Sequence, residues 1–133
     1  MTTQIIALSA ISFQQWLPLW QAYLTFYAST LSLEQAQLSW QRITNPIQTD
    51  MFGYAITVDD QVVGFVHLIS HMSMWTSLPY CYLQDLYIAA PSRNQGFARQ
   101  LIEHSYQICT ERFDRIYWLS HESNQTAQLL YDR

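Results

Sequence analysis

The chain has 133 residues and a formal net charge of −4, and half of its residues are hydrophobic. A chain of this size and aromatic content is expected to form one domain over residues 1–133 and to bury roughly two-thirds of its unfolded surface. The negative charge argues against a broad nucleic-acid surface and favours cationic partners, and the absence of lysine excludes a phosphate-loop lysine or a lysine Schiff base.

The first part of the chain is predicted to contain a short strand and two helices. Residues 4–9 are apolar enough for a strand, and large apolar residues recur at helical spacing over 12–27. Ser32, followed three residues later by Gln35, predicts a capping box for a second helix that ends before Pro46.

The second part is predicted to alternate strands and helices. Met51–Val58 and residues 62–71 are β-rich runs separated by a polar turn, which predicts a hairpin. Tyr80–Ile88 predicts a central strand, and residues 96–112 have helical spacing. The order of elements predicts an α/β fold with a sheet of mixed direction. The remaining predicted elements are a loop over 73–79, a strand over 115–120 and a helix from Asn124 onward.

The N-terminus and the cysteines indicate a cytoplasmic protein. No basic residue precedes Arg42, so neither a signal peptide nor a membrane span is predicted. Cys81 and Cys109 have neither metal-ligand nor disulfide spacing, which is typical of reduced thiols. His67 and His71 would share one face of a strand, but no metal site is predicted from two histidines.

The segment LQDLYIAAPSRNQGFARQLIEHS, residues 83–105, joins the central strand to a helix through a loop. Loop amides that open a helix bind anions, because the free N–H groups and the helix dipole both face the ligand. Gly96 permits close approach of the backbone, and Ala98 is the next smallest residue. Arg93 offers a fork of donors and Arg99 a second cation. These residues alone allow either an anion site or a tight turn beside a solvated arginine.

The same loop resembles motif A of the GCN5-related N-acetyltransferase (GNAT) superfamily, whose signature is Arg/Gln-x-x-Gly-x-Gly/Ala. Residues 93–98 read RNQGFA, directly after the predicted strand. The segment NQTAQLLY over 124–131 resembles motif B, and YLTFYAS in the first helix resembles a subgroup that includes polyamine and histone-type acetyltransferases. The resemblance implies one GNAT-like α/β domain with a mixed, mostly antiparallel central sheet flanked by helices.

The resemblance also implies that acetyl-CoA is the co-substrate and that its acetyl group passes to a primary amine by direct attack. The central strand would bind the pantetheine like an added strand, where it splays from the next strand, and the loop amides would bind the pyrophosphate. Asn124 would lie near the pantetheine arm, and Tyr131 would be the acid that protonates the thiolate. The implied coenzyme-binding residues of the strand and loop are Leu86, Tyr87, Ile88, Arg93, Asn94, Gln95, Gly96, Phe97, Ala98 and Arg99.

The general base departs from the family's pattern. Several relatives carry a glutamate immediately before the acidic residue of this strand, whereas the chain has Gln84, which cannot accept a proton. Asp85 is the nearest carboxylate, but strand alternation is expected to turn it to the opposite face from Gln84. Gln84 is therefore expected to act in catalysis by positioning a water, or else the amine arrives neutral after losing its proton to solvent.

The first two helices are expected to form the wall of the acceptor pocket. An aromatic stripe on a helix also packs a core, and both roles are open to Trp16 and Trp20. Tyr23, Tyr27 and Asp85 are taken as the candidate substrate-binding residues. The implied acceptor is a small-molecule or protein amine, such as a polyamine or a lysine side chain, and antibiotic amines are open as well.

Two features leave alternatives. Gln84 in place of a carboxylate is also compatible with a non-catalytic acyl-CoA-binding or sensing module. Family members continue past the motif B tyrosine into one or two more strands, whereas this sequence stops at Arg133. The expectation is that the C-terminal strands are missing from the sequence, and the alternative is that a partner chain, such as the second copy in a homodimer, supplies them.

Overall fold

The computed structural model describes residues 1–119. The predicted final helix, with Asn124 and Tyr131, lies outside the described residues. Within the described part, no helix is long and apolar enough to cross a lipid bilayer. The strands of this part are β1 (Thr3–Ala7), β2 (Met51–Val58), β3 (Gln61–His71), β4 (Tyr80–Ile88) and β5 (Arg115–Tyr117), and its helices are α1 (Phe13–Phe26), α2 (Leu33–Thr44) and α3 (Phe97–Cys109).

The five strands form one sheet in the order β1-β2-β3-β4-β5. Neighbours from β1 to β4 pair antiparallel, whereas β4 and β5 pair parallel and are joined through α3. A parallel pair needs a crossover connection, which is the role of α3 here. The predicted mixed, mostly antiparallel sheet is confirmed.

Each face of the sheet carries its own core. Alternation along β3 directs Phe65 towards α1 and α2, and directs Val66 towards α3. On the α3 face, Cys81 and Cys109 are both buried and free. The buried core on the α1/α2 face consists of Leu8, Trp16, Trp20, Tyr23, Ala36, Ala55 and Phe65. The core on the α3 face includes Ile56, Val66, Leu68, Leu83, Ile88, Phe97, Leu101 and Phe113.

The predicted capping box of the second helix forms only in part. At Ser32 only half of the predicted box forms, because the Gln35 side chain bonds to Ser39 at 3.2 Å instead of returning to the Ser32 backbone. The complete reciprocal box lies at the start of α1, where Ser12 and Gln15 exchange bonds of 2.8 and 3.2 Å. The Ser32 prediction was therefore right about the helix start and wrong about the second bond.

Candidate functional site

The first candidate feature is a free main-chain edge on β4. Pairing between β4 and β5 ends at Tyr82↔Tyr117. Residues 83–88 then have no partner on β5, while the other edge of β4 continues to pair with β3. This divergence also explains why β5 stops short of the predicted residue 120. The free edge offers N–H and C=O groups to another extended chain, and the residues predicted to bind pantetheine, 86–88, lie on it.

The end of the loop after β4 presents amides that no residue of the described part pairs with. Asn94 and Gly96 are in the left-handed region, with φ of 66° and 82°, and Gly96 caps α3. The amides of residues 94–99 donate no hydrogen bond to any residue that the structure describes. A Cβ added to Gly96 would meet no atom within 4 Å. The glycine is therefore required by its backbone angle, and the loop presents free donors beside open space, which suits a phosphate.

Arg93 is anchored rather than freely solvated. Its Nε–H donates to the carbonyl of Ile88 at 2.9 Å. Its guanidinium carbon also lies 5.3 Å from the ring centre of Tyr87 and 5.9 Å from that of Phe26. The hydrogen bond ties the loop to the end of β4, and the terminal N–H groups are left for an anion.

Replacing Arg93 with alanine is expected to weaken coenzyme A binding by about 1.5–3 kcal/mol, since one charged hydrogen-bonding partner is lost. Calorimetry with coenzyme A and with its dephospho form should give similar losses if Arg93 meets the pyrophosphate. Arg93→Lys separates the two roles of the side chain, because it keeps the charge and removes the Nε–H bond. An Arg93→Ala affinity equal to the wild type would show that Arg93 is a surface residue only.

The second candidate feature is a pocket of about 60 Å³ between the sheet and the two N-terminal helices. Trp16 and Trp20 were each predicted either to pack the core or to line the acceptor pocket. Both side chains do both, since they are buried and also line this pocket. The pocket is lined by Trp16 and Trp20 of α1, Ser39 and Ile43 of α2, Met51 of β2, His67 and Ile69 of β3, and Gln84 and Asp85 of β4.

A β-bulge in β4 corrects the predicted orientation of Asp85. His67 pairs with Asp85 and Leu68 pairs with Leu83, so Gln84 is an extra residue in β4. The bulge interrupts strand alternation, and Gln84 and Asp85 both line the pocket instead of pointing to opposite faces. The sequence prediction of opposite faces was therefore wrong.

A chain of hydrogen bonds holds the Asp85 carboxylate. The indole Nε1–H of Trp16 donates to His67 Nε2 at 3.1 Å, and His67 Nδ1 lies 2.9 Å from Asp85 Oδ2. The side chains of His67 and Asp85 are only 7% and 12% exposed. A carboxylate with so little solvent depends on these protein donors, which fix its position in the pocket wall.

Tyr23 lies beside this carboxylate, and Tyr27 contacts Tyr23. Burial, followed by the charge and hydrogen bonding of Asp85, raises the pKa of Tyr23, so its hydroxyl keeps its proton. Tyr27 packs edge-on against Tyr23, with ring centres 4.9 Å apart, and contributes to the same shift. The structure thus brings together Tyr23 and Asp85, and places Tyr27 behind Tyr23.

The indole N–H of Trp20 is a buried donor without a hydrogen-bond partner among the described residues. Its ring is stacked between Trp16 and Tyr23 at 5.5 Å from each. A buried donor left unpaired costs about 1–3 kcal/mol, and such groups are uncommon in folded proteins.

His67 is the functional candidate that the sequence reading missed. Because His67 and His71 are four residues apart, the sequence analysis considered His67 only as a possible metal ligand. Residues 1–119 contain no group of three or more His, Cys, Asp or Glu side chains that could hold a metal ion. Instead, His67 bonds to Trp16, 51 residues away in the sequence, and to Asp85. A polar residue within the apolar run from Val62 to Ile69 was the available signal, but its partners depend on the bulge.

Comparison with known proteins supports the family resemblance. The model of the Acetyltransferase (GNAT) family matches residues 13–133. A D-amino-acid N-acetyltransferase of Saccharomyces cerevisiae, HPA3, is 30% identical over 124 residues, which cover 90% of this chain and 76% of that protein.

Solved structures share the fold. A ribosomal-protein-alanine N-acetyltransferase from Brucella melitensis biovar Abortus 2308 has a TM-score of 0.81 at 17% identity, covering 98% of this chain and 90% of that one. The aminoglycoside acetyltransferase AAC(6')-Iy, in complex with a bisubstrate analogue of coenzyme A, has a TM-score of 0.82 at 14% identity, covering 99% and 88%. The chain therefore belongs to the GNAT acetyltransferase family and is an acetyl-CoA-dependent N-acetyltransferase.

Proposed function

We propose that the acceptor is a free amino acid or a closely related small amine whose amino group binds at Asp85. The observation that carries this proposal is the position of Asp85, which lies in the wall of the pocket, on the part of β4 that β5 does not pair with, and one residue before residues 86–88. A residue advances a strand by about 3.3 Å. An amine at Asp85 would therefore lie close to a pantetheine chain bound along residues 86–88, so both substrates would be held together.

The loop and the strand edge would hold acetyl-CoA in this arrangement. The unpaired amides of residues 94–99 suit the pyrophosphate, with Arg93 as the anchored cation beside them. Gly96 leaves room for the closest approach of a phosphate. The free N–H and C=O groups of residues 86–88 suit the amides of the pantetheine arm.

Asp85 also offers the missing proton acceptor. The protonated amine must lose one proton before its nitrogen bonds to the acetyl carbon, and the Gln84 amide has no basic site for it. Asp85 would take this proton and release it to solvent. When the C–S bond breaks, Tyr131 stays the predicted donor of a proton to the thiolate, and the second proton that leaves the nitrogen restores the phenol, directly or through solvent.

The comparison with known proteins favours an amino acid over a polyamine as acceptor, because the yeast relative is a D-amino-acid N-acetyltransferase by name.

An acceptor panel tests the proposal. Thiol release from acetyl-CoA is measured with D- and L-amino acids, with the amines that lack only their carboxylate, with polyamines and with a lysine peptide. We expect a higher kcat/KM for amino acids than for the matched amines. Faster turnover of polyamines or of the lysine peptide would overturn the amino-acid assignment. Tight coenzyme A binding without any turnover would favour the non-catalytic module.

A further inference from the structure

The hydrogen bonds of His67 define its protonation state. Its Nε2 accepts the indole N–H of Trp16 at 3.1 Å, so that nitrogen cannot itself carry a proton. An imidazolium has N–H groups on both nitrogens and no acceptor, and therefore cannot make this bond. His67 is then a neutral ring with its proton on Nδ1, which donates to Asp85 Oδ2 at 2.9 Å.

This tautomer sets the charge of the pocket. An imidazolium next to Asp85 would form an ion pair with no net charge, whereas a neutral ring leaves the full negative charge of the carboxylate. Among the described residues, Asp85 acts on the phenols of Tyr23 on α1 and Tyr82 on β4, and both have raised pKa values, from burial first and then from Asp85. Both phenols are neutral, and Gln84 carries no charge. The described wall of the pocket therefore has a net charge of −1.

We propose that Trp16 and His67 are positioning residues that keep Asp85 uncompensated, so that the pocket binds its acceptor as the ammonium cation. Trp16 acts through His67 by occupying Nε2 and blocking the imidazolium. This inference rests on Asp85 as the acceptor site and adds the charge state in which the acceptor binds.

The tautomer is tested without any substrate. Nitrogen-15 spectra of histidine-labelled protein near neutral pH should show His67 protonated at Nδ1 and unprotonated at Nε2, and the Trp16→Phe variant should lose this signature. Finding His67 as an imidazolium, or with its proton on Nε2, in the wild type would overturn the inference. The spectra do not depend on turnover. They therefore test the protonation of His67 even if the acceptor panel shows that the substrate is not an amino acid.

The cation preference is tested with matched probes. Propylammonium and 1-propanol have the same carbon chain, and only the first carries a charge. In the wild type we expect propylammonium, and not 1-propanol, to shift the His67 and Trp16 indole signals, and Asp85→Asn should abolish this binding. Equal responses to the two probes would contradict a net negative pocket.

A double-mutant cycle separates positioning from packing. The His67→Asn variant keeps an N–H donor for Asp85, but its amide side chain cannot become charged. In the wild-type background, Trp16→Phe should weaken propylammonium binding by about fivefold or more, which is the effect expected when a nearby positive charge compensates Asp85. In the His67→Asn background, the same substitution should have almost no effect. Equal losses in both backgrounds would show that Trp16 only fills space, and would overturn its role.

Discussion

Replacing Gly96 with glutamate is expected to abolish detectable coenzyme A binding, which corresponds to a loss on the order of 100-fold or more. Two effects combine. Any side chain at φ 82° strains the backbone by about 1–2 kcal/mol, and a carboxylate beside the free amides of residues 94–99 repels phosphate and competes for the same donors. Isothermal titration calorimetry with coenzyme A measures this loss.

Gly96→Ala is the matched control for the Gly96→Glu variant. Since a Cβ at this position meets no atom within 4 Å, alanine tests the backbone strain and the approach of a ligand without adding charge. Both variants should lose similar stability in thermal unfolding, whereas glutamate should lose far more coenzyme A affinity than alanine. A folded Gly96→Glu protein that binds coenzyme A as tightly as the wild type would contradict the phosphate site.

Replacing Asp85 with asparagine is expected to lower kcat/KM for the amine by about 10²-fold or more, the usual range for loss of a positioned proton acceptor. Asparagine has nearly the same shape and can still accept the His67 N–H bond, so the pocket should keep its structure. Affinity for coenzyme A should change by less than about twofold, because the main-chain edge and the loop are untouched.

Gln84→Ala is the control for Asp85→Asn, since both residues line the pocket at the same bulge. If Gln84 only positions a water, its removal should reduce turnover by less than about tenfold. Unchanged turnover in Asp85→Asn would exclude Asp85 as the proton acceptor. A larger effect at Gln84 than at Asp85 would return the catalytic role to the position at which relatives carry glutamate.

Local patterns predicted most of the sheet. The bounds of β4, Tyr80–Ile88, and of β2, Met51–Val58, follow from runs rich in apolar and aromatic residues. The end of β5 could not be read in the same way, because the residues after Tyr117 remain strand-like while the partner strand diverges. Strand length there is set by tertiary pairing and not by propensity.

The candidate site was also predicted only in part from local sequence patterns. The loop over 93–98 could be predicted because its arginine and glycine lie close together in the sequence, within one motif. The acceptor pocket was only partly readable, since strand alternation placed Asp85 on the wrong face. One extra residue at Gln84 reverses that alternation, and no local signal marks it. The bond between Trp16 and His67 joins residues 51 positions apart and follows only from the folded sheet.

A crystal structure with coenzyme A and an amino-acid acceptor is the most direct test of the proposed site. It should place the pantetheine arm along residues 83–88, between β4 and β5, with the pyrophosphate on the amides of residues 94–99. The amino nitrogen should lie within hydrogen-bonding distance of the Asp85 carboxylate, on the pocket side of β4. An acceptor bound away from Asp85, or a pantetheine arm outside the gap between β4 and β5, would contradict the assignment.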